Sequence, residues 1–179
     1  MQQEIEIKIP EDRIGVLIGR EGEIKKRIQE KTGCKIKINS KTGEVKIVRG
    51  EDAVGFLKAK SVVEAIAKGF NPEVAMKLLD DDFYVFESID LSELSQKELE
   101  RVKGRIIGKE GKFRKMIEET LNVHVSVYDK YVSIIGAFEN VAAAREAINM
   151  IIEGAQHSTV QRFMEKKRRE INMRSMEWY

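Results

Sequence analysis

Gly15-Val16-Leu17-Ile18-Gly19-Arg20-Glu21-Gly22 and Gly104-Arg105-Ile106-Ile107-Gly108-Lys109-Glu110-Gly111 are one phrase written twice, 89 residues apart (15 to 104). Each copy is an apolar run that ends in Gly-basic-Glu-Gly and leads into a basic amphipathic segment. A Gly-x-x-Gly turn between two helices exposes backbone N–H groups at a helix start, which is a phosphate-binding device. Two copies imply two modules that grip one phosphate-bearing strand.

The repeat reaches well beyond the turn. Residues 13–38 align without gaps on 102–127, and Gly15, Ile18, Gly19, Glu21, Gly22, Lys26, Ile28 and Glu30 recur unchanged. Ile36 and Ile38 fall on Val125 and Val127. The period is too long for a solenoid unit and matches a small domain. Apolar spacing predicts the same order in both halves, β-α-α-β-β-α. Glu4–Ile9 alternates as a strand. Glu11–Ile18 and Glu23–Thr32 read as helices, Gly33 stops the second, and Cys34–Asn39 and Glu44–Arg49 form a hairpin before a helix over Glu51–Lys68. The second copy runs Phe83–Ile89, Lys97–Ile107, Lys112–Leu121, Val123–Val127, Tyr131–Ile135 and Glu139–Glu153, with Leu91–Gln96 as an extra stretch.

These patterns predict an α+β chain of two domains. The first covers residues 1–68. A connector follows over 69–82, with a short helix from Pro72 to Leu79 and an Asp80-Asp81-Asp82 end that is either solvated or touches a basic neighbour. The second domain covers 83–154. A basic C-terminal helix over 155–179 starts at a His157/Ser158/Thr159 cap. Val160, Phe163 and Met164 form a narrow stripe on it, expected to pack on the second domain and to leave Lys166, Lys167, Arg168 and Arg169 projecting.

Net charge is only +2, so binding rests on placed groups rather than bulk attraction. The single cysteine, Cys34, precludes an internal disulfide and suits a reducing, cytoplasmic setting. No apolar stretch is long enough to span a membrane. The two histidines, His124 and His157, lack cysteine or histidine neighbours at metal-ligand spacing, and the glycine turns lack the Lys-Ser/Thr of a P-loop. No catalytic residue, metal or cofactor is therefore expected.

Ile9-Pro10, Gly15-x-x-Ile18-Gly19-x-x-Gly22, Ile24-Lys25, Ile28, Thr32-Gly33 and Ile36-x-Ile38 together resemble the consensus of a KH domain. The resemblance implies two type I KH domains, each a three-stranded antiparallel sheet with helices on one face. More narrowly, the chain resembles the archaeal members of the partner-of-Nob family of small-ribosomal-subunit assembly factors. Gly69-Phe70, Leu78–Asp82, Glu87-Ser88-Ile89, the second glycine phrase, Ile135–Asn140 and the basic last helix carry that likeness. Eukaryotic members are similar mainly in the second domain, and their first lacks the glycine turn; this chain has both.

What the resemblance implies is single-stranded RNA bound through KH grooves, about four nucleotides each. The RNA backbone would pass over Gly19, Arg20, Glu21 and Gly22, and over Gly108, Lys109, Glu110 and Gly111. Ile18, Ile36, Ile107 and Val125 are expected on an apolar floor. Lys25, Lys26, Arg114 and Lys115 would reach phosphates or base edges, or else form a solvated helix face. Arg105, standing where the first copy has Val16, would make the second groove the more basic and the dominant one. Phe113, standing for Ile24, is either a core filler or a stacking platform. The implied target is the 3′ region of small-subunit ribosomal RNA, with a Nob-type endonuclease and the pre-small-subunit particle as partners. The alternatives are a protein-interaction scaffold with occluded grooves and a general messenger-RNA binder.

Overall fold

The computed structural model describes residues 2–177 and divides into two compact units, residues 1–82 and 83–179. In the first, strand β1 (Glu4–Lys8) is followed by α1 (Glu11–Ile18), α2 (Glu23–Thr32), β2 (Lys35–Ile38), β3 (Glu44–Val48) and α3 (Ala53–Ala67). The sheet order is β1-β3-β2, antiparallel throughout, with Ile5 and Ile36 both opposite Ile47. That register puts the isoleucines and Val45 on one face and Glu6, Lys37 and Lys46 on the other, because side chains alternate across a strand. Helices cover the apolar face; Leu17, Ile28, Ile36, Val45, Ile47 and Val62 are essentially inaccessible.

The second unit repeats this with β4 (Tyr84–Asp90), α5 (Gln96–Ile107), α6 (Lys112–Leu121), β5 (His124–Tyr128), β6 (Tyr131–Ala137) and α7 (Phe138–Ile152) in sheet order β4-β6-β5. Its extra stretch is structural. Leu91 is buried and its N–H bonds to the Lys130 carbonyl, while Ser95 caps α5 through the Glu98 N–H. Gly33 ends α2 in the left-handed region, and Asn122 takes that place after α6 at φ 52°, the residue other than glycine that tolerates it best.

The stretch expected to be a connector is instead the last helix of the first unit. Helix α4 (Pro72–Asp80), capped by the Asn71 side chain on the Val74 N–H, packs on α3 and α2 and buries Ala75, Met76 and Leu78. Helix α8 (His157–Glu177) packs in the same way on α7 and α6. Both pairs are joined by one turn. Gly69 and Gly154 take φ 101° and 100°, donating to Ile66 and Ile151; Phe70 and Ala155 then donate to Ala65 and Met150. The repeat unit is therefore β-α-α-β-β-α-α. Sequence comparison of the two halves hides the last helix, because α4 and α8 share almost no residues beyond their apolar spacing. Asp80 and Asp82 meet bases: Asp80 lies 2.6 Å from Lys31, and the bond from Lys58 holds the Asp82 carboxyl below the usual carboxylate range.

The stripe on α8 docks on the second unit. Val160 and Met164 are fully buried and Phe163 is partly so, each full burial contributing roughly 1.5–3 kcal/mol. Ile171 joins the same cluster two residues beyond the basic run, so the helix stays attached past the point where the sequence stripe ends.

Candidate nucleic-acid interface

The two glycine turns share one backbone shape. Gly19, Glu21 and Gly22 have φ/ψ of 76/175°, 56/27° and 76/13°; Gly108, Glu110 and Gly111 have 75/176°, 57/26° and 74/10°. At Gly19 a Cβ would lie 2.4 Å from Ile24 Cγ1 and 2.8 Å from the Ile24 amide; at Gly108 it would lie 2.6 Å from Phe113 Cβ. No side chain fits at either place. Glu21 and Glu110 are held in the left-handed region, at a cost of about 1–2 kcal/mol for a non-glycine residue. The same strain at the same place twice marks the turn as a shape the fold enforces. Both carboxylates face solvent, and that of Glu110 sits 3.7 Å from Lys112.

Helices α2 and α6 start directly from these turns with no side-chain cap, unlike α4 and α5. Their first amides, those of Glu23 and Lys112, close the turn on the Arg20 and Lys109 carbonyls, and the positive end of each helix dipole faces the turn. Arg20 and Lys26, and in the second copy Lys109, Arg114 and Lys115, are exposed, and Lys25 is half-exposed. Among the described residues none of these cations is held in an ion pair, whereas Lys31, Lys46 and Lys58 are.

Across from α2 runs β2, an edge strand, and across from α6 runs β5, also an edge. Ile36 and Val125 are 1% and 3% exposed, so their side chains belong to the core and are not the groove floor the sequence predicts. What they offer outward is backbone. The Ile36 N–H bonds to Gln29 Oε1 at 2.8 Å and the Val125 N–H to Glu118 Oε2 at 3.1 Å. In an antiparallel strand the N–H and C=O of one residue point the same way, so these residues turn their polar edge away from the sheet. Ile18 and Ile107 remain half-exposed and can take an apolar contact.

Two expectations in the second unit, for Arg105 and His157, are corrected, and the open alternative for Phe113 is decided. Arg105 is not beside the turn as a spare cation; its guanidinium donates to the carbonyls of Ala155 (2.6 Å) and Ile151 (3.4 Å). In the first unit Arg13 donates to the matching carbonyls, Phe70 (2.6 Å) and Ile66 (2.8 Å). Each unit thus clamps the turn before its last helix with an arginine, from helix positions one turn apart. Phe113 is core rather than an open platform: it is 5% exposed and its face is stacked on His157 at 4.0 Å. His157 does not cap α8 by its side chain; its Nε2 donates to the Arg105 carbonyl at 2.8 Å, since that oxygen can only accept. Without Arg105 the cations of the two turns and helices match, Arg20, Lys25 and Lys26 against Lys109, Arg114 and Lys115, and the remaining difference beside the turn is Glu23 in the first copy against Lys112 in the second.

Of the basic run on α8, Lys166, Arg168 and Arg169 are exposed. Lys167 is diverted to Glu170 (3.7 Å) and lies over the Phe163 ring. Two features lie outside the site that the sequence predicts. Gly15 and Gly104 stand inside α1 and α5, exposed, and a Cβ added at either would meet nothing within 4 Å. Interior helix glycine costs about 0.5–1 kcal/mol relative to alanine, and among the described residues no packing repays it. Replacing either with alanine is expected to raise thermal stability while weakening RNA binding; a stabilised variant with unchanged affinity, measured by fluorescence anisotropy, removes them from the interface. Gln29 and Glu118 are the other pair, invisible in sequence because only the fold brings them to an edge strand.

The comparisons with known proteins agree with this geometry. Residues 85–169 match the second KH domain of PNO1, a eukaryotic type KH-domain (KH-domain type I), and residues 4–65 match the KH domain. A KH domain-containing protein of Methanocaldococcus jannaschii is 44% identical over 92% of this chain and 74% of its own length. The pre-rRNA-processing protein PNO1 of Coccidioides immitis is 35% identical over 70% of this chain and 51% of its own, so the chain spans about half of that relative. Dim2p from Pyrococcus horikoshii superposes with a TM-score of 0.85 at 44% identity, covering 92% of this chain and 99% of that one. A chain of the a/eIF2alpha-aDim2p-rRNA complex from the same organism gives 0.87 at 42%, covering 94% and 96%. Tandem KH units with two intact glycine turns, matched along nearly the whole length by Dim2p, place this chain in the PNO1/Dim2 family of KH-domain proteins.

Proposed function

We propose that this protein binds unpaired RNA in the 3′ region of small-subunit ribosomal RNA during maturation and positions it for a Nob-type endonuclease, in the cytoplasm. The observation that carries the reading is the matched pair of sites: an enforced glycine turn, an uncapped helix start, unpaired cations and an edge strand, in both units. Relatives named for pre-rRNA processing and a neighbour whose structure includes rRNA support the choice of target. The part proposed for the site is holding the strand. Cleavage would fall to the endonuclease.

Crosslinking the full chain to total RNA and mapping the bound nucleotides tests this directly. Enrichment of the small-subunit 3′ region is expected, and enrichment of messenger RNA overturns the target. Binding is also expected to favour single strands, with a moderate salt dependence, since each phosphate contact adds about 0.7 to the log–log slope. A slope near ~10, or equal affinity for duplex, contradicts a two-groove mechanism. The α8 cations give a separate readout. Replacing Lys166, Arg168 and Arg169 with glutamine is expected to weaken binding to a long ribosomal fragment more than to an octamer. Equal loss on both places these residues in a groove; no loss makes them idle.

A further inference from the structure

We propose that Gln29 and Glu118 read base identity in the two grooves, and that they select opposite chemistries. The proposal rests on the grooves being the RNA site. The two residues occupy the same place in the repeat, and each spans from its helix to the outward amide of the edge strand, Gln29 to Ile36 and Glu118 to Val125. That bond fixes the tip of a half-exposed side chain between helix and strand edge, on the wall that a base lying against the strand would meet.

The anchoring atom must be an oxygen in both cases, because its partner is an N–H. In Gln29 this leaves the NH2 group, a donor. It suits a base that offers carbonyl oxygens, uracil included. In Glu118 both oxygens accept, so the remaining one also accepts. It suits a base with an exocyclic amine, as a carboxylate accepts from cytosine N4. Uracil offers only N3–H, flanked by two carbonyl oxygens that a carboxylate repels. A carboxylate gains nothing from RNA phosphates, which it repels too, so its contribution is discrimination: a base without the amine covers the second Glu118 oxygen without giving it a donor. The first groove should therefore accept uracil where the second excludes it.

The test uses the full chain and a randomised RNA decamer pool, sequencing what binds. For the wild type, one position in the bound pool is expected to be depleted of uracil about tenfold, the discrimination of a single good base contact. Glu118→Gln is expected to abolish that depletion, and Gln29→Glu to create a second uracil-poor position. If the wild type enriches sequences and both variants return the same base pattern, the inference falls while RNA binding by the grooves stands. If the wild type enriches nothing, the RNA reading itself falls, and the inference with it. Glutamine already makes this backbone bond in the first unit, so Glu118→Gln should melt with the wild type. Should it unfold instead, Gln29→Glu decides alone: a new uracil-poor position supports base reading, and none overturns it.

Discussion

Replacing Arg105 with alanine is expected to lower the stability of the second unit by about 2–4 kcal/mol, because two carbonyls lose charge-assisted donors. The guanidinium bridges Ile151 and Ala155, the end of α7 and the turn into α8. Its own carbonyl receives His157, whose ring supports Phe113 behind Gly108. Loss of the clamp should loosen the junction of α7 and α8, while the glycine turn keeps the shape set by the close approach of Gly108 to Phe113. Urea unfolding measures the first effect. RNA affinity of the folded variant, measured well below its melting temperature, should change less than about twofold, a few tenths of a kcal/mol. Unchanged stability with a large loss of affinity would return Arg105 to the RNA-binding set. Arg13→Ala should destabilise the first unit by the same route.

Changing Lys109 and Glu110 to aspartate should cut RNA affinity at least tenfold, about 1.4 kcal/mol, without unfolding the domain. Aspartate tolerates the left-handed conformation that Glu110 already adopts, so the backbone is spared. The turn then meets phosphate with two negative charges instead of one positive and one negative. The same swap at Arg20 and Glu21 is expected to cost a similar amount, because Lys25 and Lys26 match Arg114 and Lys115 and Arg105 no longer favours the second groove. Combining both swaps should cost more than either, since tethered sites raise each other's effective concentration. A first-turn variant that binds like the wild type, at equal thermal stability, would mean that one groove carries the binding.

Glycines, caps and apolar spacing act locally, so they are legible in the chain itself. Gly19 and Gly108 declare a turn no other residue can make, Gly33 declares a helix stop, and the alternation of Ile5, Ile7, Ile36, Ile38, Val45 and Ile47 declares a sheet with one covered face. The KH fold, its duplication and the turns follow from these. What depends on partners far apart in the chain is not legible. Arg105 reads as a groove cation because its charge is visible in sequence, while the carbonyls it clamps, 46 and 50 residues away, are not. Ile36 and Val125 read as floor because they are apolar. The register turns those side chains inward and presents their amides instead. Residues 69–82 read as a connector because the stretch from Gly69 to Pro72 breaks the chain, and only packing on α2 and α3 makes the short helix that follows part of the unit. Local backbone chemistry is written in the residue that bears it. The direction of a side chain, and hence whether it holds the fold or meets the ligand, is set by register and packing, which exist only once the chain has folded.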